Sequence, residues 1–327
     1  MDHNFVDAAR KLSAEYRDLN GSTFEILEEP PSALEFARIV HISRPVVIKG
    51  VDVPAMKLWD NDYLIKKMGD RLISIAVTPN GCADAITRAP DNRLYFVEPA
   101  TDRMTMHELL STLENRRKSS KRSKEIHYLQ SQNGNLFSPN ESCGEFEPLK
   151  YDVPEEIPWC SDALGQKPDA VNIWIGDEGS RTSLHSDPYE NIYTVIRGTK
   201  HFLLIPPTDS WCLQERLYPH ATYKRNSLSG RLEIIPSAGE GSQVRWSSIT
   251  DPCQRGALPR EVVPTHIALQ AGETLYLPVG WWHYVWQSDL TIALNWWYDA
   301  ELRGMSWVLL NFLRNPTSTI LPVNTDT

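Results

Sequence analysis

Leu184-His185-Ser186-Asp187, read together with His283 at the head of Tyr284-Val285-Trp286-Gln287, is the stretch on which the fold turns. Two imidazoles and one carboxylate can occupy one face of an octahedral ion and leave the opposite face open to further ligands. A His-x-Asp pair cannot be a helical i, i+4 pair, but at the frayed end of a strand both side chains can turn toward one point. His283 lies 96 residues beyond Asp187, so only a closed fold brings the three together.

Outward from this stretch the chain reads as short strands separated by turn signals. Residues 171–175 end at Gly176, and 182–185 follow. Residues 191–196 and 200–205 are joined by Arg197-Gly198-Thr199, a hairpin signal. Residues 266–269 and 273–277 flank Ala271-Gly272, 283–287 follow Gly280, and 291–297 follow Ser288-Asp289. Eight strands split four and four predict a mainly β fold, a double-stranded β-helix (jelly roll, cupin-like) with one open mouth. Asp187 then follows the second strand and His283 opens the seventh. The insertion at 206–264, read as a long irregular stretch, exceeds any compact connector and is expected to be a lid or substrate-binding loop.

The first half is mixed α and β. Residues 1–20 carry Phe5, Ala9, Leu12, Tyr16 and Leu19 at helical spacing, with Asn20-Gly21 as a stop. Leu34, Phe36, Ala37 and Val40 give a second helix, and Arg44-Pro45-Val46-Val47-Ile48-Lys49-Gly50 a strand. A helix over 59–68, a strand over 72–77 closed by Thr78-Pro79-Asn80-Gly81, a helix over 104–113 and a strand over 125–130 carrying Tyr128 complete it, before a loop-like stretch over 133–169. The division expected is an N-terminal helical and mixed α/β elaboration over 1–169, a core over 170–299, and a C-terminal helix and tail over 300–327. The helix at 300–314, with Leu302, Met305, Trp307 and Phe312, is too apolar to be exposed; it either caps the domain or pairs with its copy in a homodimer.

Composition bounds the rest. At 327 residues and 41% hydrophobic, the chain suits one large elaborated domain or two small ones. A net charge of −9 argues against a protein built to hold a phosphate backbone, so no direct nucleic-acid binding is expected. Arg116 to Lys124 holds six basic residues in nine, readable as an import signal or a nucleic-acid patch; a solvated loop after a helix C-terminus is the plainer reading. No apolar run is long enough to span a membrane. Five scattered cysteines without a pair motif or a secretory signal fit free thiols in a reducing compartment, cytoplasmic or nuclear rather than secreted.

Strand parity adds a clue. Lys200, Phe202 and Leu204 share one face, and so do Asn191, Tyr193 and Val195 on the partner strand. If those faces line the barrel, Lys200 is a cation in an apolar cavity, costly unless it meets an anion. Alternation permits the opposite face, with His201, Leu203 and Ile205 inside, equally well.

His185-x-Asp187, Lys200, His283 and the eight-strand pattern resemble the jumonji-C (JmjC) family of iron(II) and 2-oxoglutarate-dependent oxygenases over about residues 170–300. Ala76-Val77-Thr78-Pro79-Asn80-Gly81, Pro168-Asp169-Ala170-Val171-Asn172, Tyr189-Glu190-Asn191 and Gly272-Glu273-Thr274-Leu275-Tyr276-Leu277-Pro278 extend the resemblance to its small hydroxylase branch, close to full length. The resemblance implies Fe(II) held by His185, Asp187 and His283, with 2-oxoglutarate and O2 as cosubstrates. It implies that Lys200, helped by Thr182 and Tyr128, pairs with the distal carboxylate, and that Asn191, Tyr193 and Asn295 line the same cavity. Thr182 and His185 are three apart, which a regular strand would set on opposite faces, so an irregular turn is required between them.

The resemblance further implies hydroxylation of a lysyl side chain in a protein, with translation-associated GTP-binding proteins as the family's targets. Asp177, Glu178 and Glu190 would suit a cationic substrate, but each alone is more simply a solvated loop charge. Trp282 and Trp297, within the Trp281-Trp282, Trp286 and Trp296-Trp297 set, would form a wall for the peptide, against the plainer reading of aromatic packing. The competing readings are a lysine demethylase on the same fold, a cupin isomerase or thiol dioxygenase, and a non-catalytic binding barrel.

Overall fold

The computed structural model describes residues 3–118, 125–130, 134–137, 144–238, 242–301 and 303–314. It begins with α1 (His3–Asn20), β1 (Glu25–Leu27), α2 (Ala33–Ile42), β2 (Val46–Ile48), α3 (Ala55–Leu58) and α4 (Asn61–Met68). Next come β3 (Leu72–Thr78), β4 (Cys82–Ala83), β5 (Ala85–Arg88), β6 (Leu94–Glu98), β7 (Ala100–Thr105), α5 (Met106–Lys118) and β8 (Ile126–Tyr128). A 3-10 turn (Glu147–Asp152) and α6 (Pro158–Leu164) lead to the barrel. Its first four strands are β9 (Ala170–Gly176), β10 (Arg181–His185), β11 (Tyr189–Arg197) and β12 (Thr199–Ile205). A second 3-10 turn (Pro207–Cys212), β13 (Glu215–Arg225), β14 (Leu232–Pro236) and β15 (Gln243–Ser247) intervene. Then β16 (Thr265–Gln270), β17 (Thr274–Leu277), β18 (Trp282–Gln287) and β19 (Thr291–Asp299) close the barrel before α7 (Met305–Arg314).

All eight barrel strands lie where the turn signals put them. They fall into a six-stranded sheet ordered β1-β2-β17-β11-β19-β9 and a five-stranded sheet ordered β16-β12-β18-β10-β4. The N-terminal half therefore supplies two strands to one sheet and one to the other. Between the sheets the lumen is filled by aromatic and branched side chains, among them Trp174, Tyr193, Phe202 and Val285. The outer face of the larger sheet buries Ile173, Ile192 and Trp296 with Phe36 of α2 and Leu109 of α5. The outer face of the smaller one buries Leu203, Trp282 and Tyr284 with Ala9 of α1 and Trp211.

Local chemistry fixes the supporting helices. Ser32 and Glu35 form a capping box at the start of α2, a motif worth about 1 kcal/mol. Asp60 caps α4 by accepting from the Tyr63 amide, so α4 begins after Trp59 rather than on it. In α1 the inner face carries Phe5, Val6 and Ala9, while Leu19 is exposed.

Several expectations give way. Residues 82–105 form four short strands that the sequence pattern did not suggest, and the insertion is not irregular. β13 pairs locally with β14 and β15 and, in parallel, with β6, so the insertion is joined to the N-terminal half through a pairing of segments more than 100 residues apart. α5 runs on to Lys118, and Arg116 in its last turn is buried rather than solvated. Residues 119–124 of the basic run, and Leu302, lie outside the described residues. α7 buries Leu313 but leaves Met305, Val308, Leu309 and Phe312 exposed, so it caps the body with one face and presents an apolar stripe with the other.

Candidate metal centre

β10 and β18 are antiparallel neighbours, with His185 opposite His283. The ligand atoms of His185, Asp187 and His283 all lie within 4.8 Å of one another. Asp187 is 3.6 Å from His185 Nε2 through Oδ1 and 3.5 Å from His283 Nε2 through Oδ2. Each ring is turned by its other nitrogen. His185 Nδ1 donates to the Ser183 carbonyl at 2.7 Å and His283 Nδ1 to that of Trp281 at 3.0 Å. Both Nε2 lone pairs are thereby left for a common centre, the orientation a metal-binding imidazole needs. Burial, followed by the neighbouring His185, pushes His283 down to about 4, which keeps it neutral and able to coordinate. Two nitrogens and one carboxylate oxygen form the donor set that suits a facial iron(II) site.

The irregularity required between Thr182 and His185 is present. The β10–β18 register shifts between Thr182, opposite Val285, and His185, opposite His283. Both side chains consequently line one cavity, together with Tyr128, Asn191, Tyr193, Lys200, Asn295, Asp187, His283 and Trp297.

Lys200 settles the parity question, because it lies with Phe202 and Leu204 on the inner face at 2% exposure. Its Nζ donates to Tyr128 Oη at 2.8 Å and lies 5.1 Å from the Tyr193 ring centroid and 5.6 Å from that of Trp174. No carboxylate among the described residues pairs with it, and burial pushes it down to about 7. Tyr193 Oη is buried without a hydrogen-bond partner in the same cavity. A buried cation beside an unpaired hydroxyl fits a small dicarboxylate. Asn295 donates to Asn191 Oδ1 at 3.1 Å and accepts from Trp174 Nε1 at 2.7 Å, which fixes the amides along one wall.

The acidic candidates belong elsewhere. Asp177 is fully buried in an ion pair with Arg116 Nε at 2.7 Å. It and Glu178 follow β9 at the end of the barrel away from the metal ligands, so neither meets a ligand at the mouth. Glu190 is buried too, accepting from Tyr276 Oη and the Val279 amide. Trp282 points out of the barrel into the cluster under α1, with Arg314 over its ring at 5.0 Å. Parity could have told this, since a strand that turns His283 inward turns Trp282 outward. Trp297 does line the cavity and stacks on Tyr189 at 5.2 Å.

Two residues escaped the sequence reading. Trp246 of β15 stacks on His185 at 5.7 Å and 7° and donates from Nε1 to Ser183 Oγ at 3.0 Å. Asp84, at φ 51°, accepts from Gln130 Nε2 at 3.0 Å and is pushed up to about 6, first by burial and then by Glu98. No local pattern marks either, because both lie outside the eight barrel strands, Asp84 carried beside β10 by β4 and Trp246 on β15 of the insertion.

Residues 31–304 match the cupin-like domain family, and the chain belongs to that family and, within it, to the JmjC oxygenases. It is 36% identical to the lysine-specific demethylase JMJ32 of Arabidopsis thaliana, over 95% of this chain and 93% of that one. It is also 36% identical to the bifunctional peptidase and (3S)-lysyl hydroxylase JMJD7 of Homo sapiens, over 84% of each. JmjC domain-containing protein E of Dictyostelium discoideum is 33% identical over 88% of this chain.

Proposed function

We propose that this enzyme hydroxylates a carbon of a lysyl side chain in a protein, with Fe(II) held by His185, Asp187 and His283. The observation that carries the reading is Lys200, a buried ammonium with no acidic partner among the described residues, on the same lumen as those three ligands. When bound, iron with 2-oxoglutarate and O2 supplies oxidative decarboxylation and an oxidant for a C–H bond. The protein's own residues do the rest. Lys200, Tyr128 and Thr182 clamp the distal carboxylate, Asn191, Tyr193 and Asn295 line the space beside it, and Phe202 and Val285 exclude water. No residue need act as general base.

The relatives are named for two lysine chemistries, and exposure at the centre favours hydroxylation. The side chains of His185 and Asp187 are 17% and 21% exposed, so the metal position lies near the surface, with the Tyr189–Trp297 stack and Trp246 at its rim. A carbon close to the peptide backbone needs such a shallow centre, whereas a methylated nitrogen at the far end of the side chain would also reach a deep one. Following the family resemblance, the substrate is a translation-associated GTP-binding protein, in the cytosol or nucleus where the four described cysteines stay unpaired. The apolar stripe of α7 pairs with its copy in a homodimer.

The test is mass spectrometry of lysine peptides after reaction with iron(II), ascorbate and 2-oxoglutarate, with Asp187→Ala as control. Gain of one oxygen on an unmodified lysine supports the proposal. Loss of a methyl group from a methylated lysine, without oxygen retained on the unmodified one, replaces it with demethylation.

A further inference from the structure

We propose that the groove between β1 and α2 docks a basic, extended segment of the protein substrate, taken up as an added strand beside β1. The inference rests on the reading above that the substrate is a lysine-bearing protein. β1 ends the six-stranded sheet: it pairs with β2 on one side, and among the described residues no strand pairs with its other edge. Such an edge offers main-chain donors and acceptors to an extended chain. Opposite it, α2 turns Glu35, Arg38 and Ile39 into the groove, a spacing that puts them on one helix face. The space between strand and helix is about 530 Å³. Ile26, 47% exposed, gives the strand side an apolar contact.

Charge selects the occupant. Four glutamates, at 25, 28, 29 and 35, face one arginine, Arg38. Glu28 is paired with Lys49 at 3.0 Å and Glu35 is held by the Ser32 cap. Glu25 and Glu29 have no ion-pair partner among the described residues and are available to an incoming cation. A second copy of this chain, at a net charge of −9, is the wrong sign for the groove, and a lysine- or arginine-rich strand is the right one. β2 and β17 separate β1 from β11, which carries Asn191 of the cavity. A strand added beyond β1 is four strand spacings from β11, roughly 19 Å, so the basic segment lies at least about six extended residues from the target lysine.

The experiment uses a fluorescein-labelled peptide of alternating lysine and valine and follows its anisotropy on titration with the full chain. Wild type and Asp187→Ala bind it equally, while Glu25→Lys combined with Glu29→Lys binds about tenfold more weakly or worse. The same peptide with alternate backbone nitrogens methylated keeps its charge but loses strand hydrogen bonds, and binds several-fold more weakly. Equal binding of the two peptides reduces the effect to bulk electrostatics and overturns strand docking. Equal binding of wild type and the charge-reversed variant overturns the site. Self-association of wild type that the same charge reversal abolishes assigns the groove to a second copy, and overturns the proposal as well. Succinate formation without substrate is unchanged in the charge-reversed variant and lost in Asp187→Ala. A failure of the oxygenase reading therefore shows in turnover, and a failure of the docking reading shows in peptide binding alone.

Discussion

Lys200→Met should make the protein more stable and useless. The drop of the Lys200 ammonium from 10.5 to about 7 corresponds to a burial cost of about 5 kcal/mol at about 1.36 kcal/mol per unit. Methionine keeps much of the volume among Phe202, Tyr193 and Val285 and carries no charge. Against the gain stands the Tyr128 hydroxyl, which loses its 2.8 Å partner at a cost of about 1 kcal/mol. A net gain of a few kcal/mol without cosubstrate raises Tm by roughly 5–10 °C. The sign with pH follows from the lowered value. Between about 7 and 10.5 the unfolded chain holds the proton that the folded one has released, so wild-type stability rises across that window and the advantage of methionine shrinks. Below about 7 the advantage is complete. Adding 2-oxoglutarate at a hundred times Kd stabilises wild type by about 2.7 kcal/mol and the variant not at all. Differential scanning calorimetry over pH 6–10, with and without the keto acid, measures each part. A variant that melts lower than wild type at pH 6 and still gains from 2-oxoglutarate would refute the reasoning.

Trp246→Phe keeps a ring over His185 but loses the hydrogen bond to Ser183, the residue whose carbonyl orients the imidazole; metal affinity should fall about tenfold, read by chelator competition. Arg116→Ala leaves Asp177 buried and unpaired and should cost about 3–5 kcal/mol in urea unfolding, with the midpoint recovering in part when Asp177→Asn is added. Replacing Val308, Leu309 and Phe312 by polar residues should turn a sedimenting dimer into a monomer without changing its melting curve by more than a few degrees; a wild type that sediments as a monomer at micromolar concentration removes the α7 pairing.

The barrel could be read in the chain because its strands are punctuated locally, each ended by a glycine, a proline or a tight turn. Position on the sheet was legible wherever one residue fixed parity. With Thr182 and His185 both required in the lumen, the irregularity between them followed, and it is there as a register shift. The same alternation, taken one residue upstream of His283, turns Trp282 outward and favours aromatic packing over a peptide wall. Arg116 and Asp177 read separately as a loop cation and a loop anion, since 61 residues of sequence hide the fact that they meet as a buried ion pair. Residues 82–105 and the insertion show the limit of local pattern. β6 and β13 each pair locally, with β5 and with β14 and β15, but are joined to one another only across a separation that no window of sequence spans.

Each histidine at the metal centre takes its orientation from a carbonyl two residues earlier in its own chain, Ser183 for His185 and Trp281 for His283. The tautomers are thus written into the main chain, whose carbonyl acceptors no side-chain substitution removes. Side chains around the rim can be exchanged, and substrate preference altered with them, while the proton on each imidazole stays where coordination requires it. A lineage can in this way trade one protein target for another through its surface residues and still inherit a working iron site.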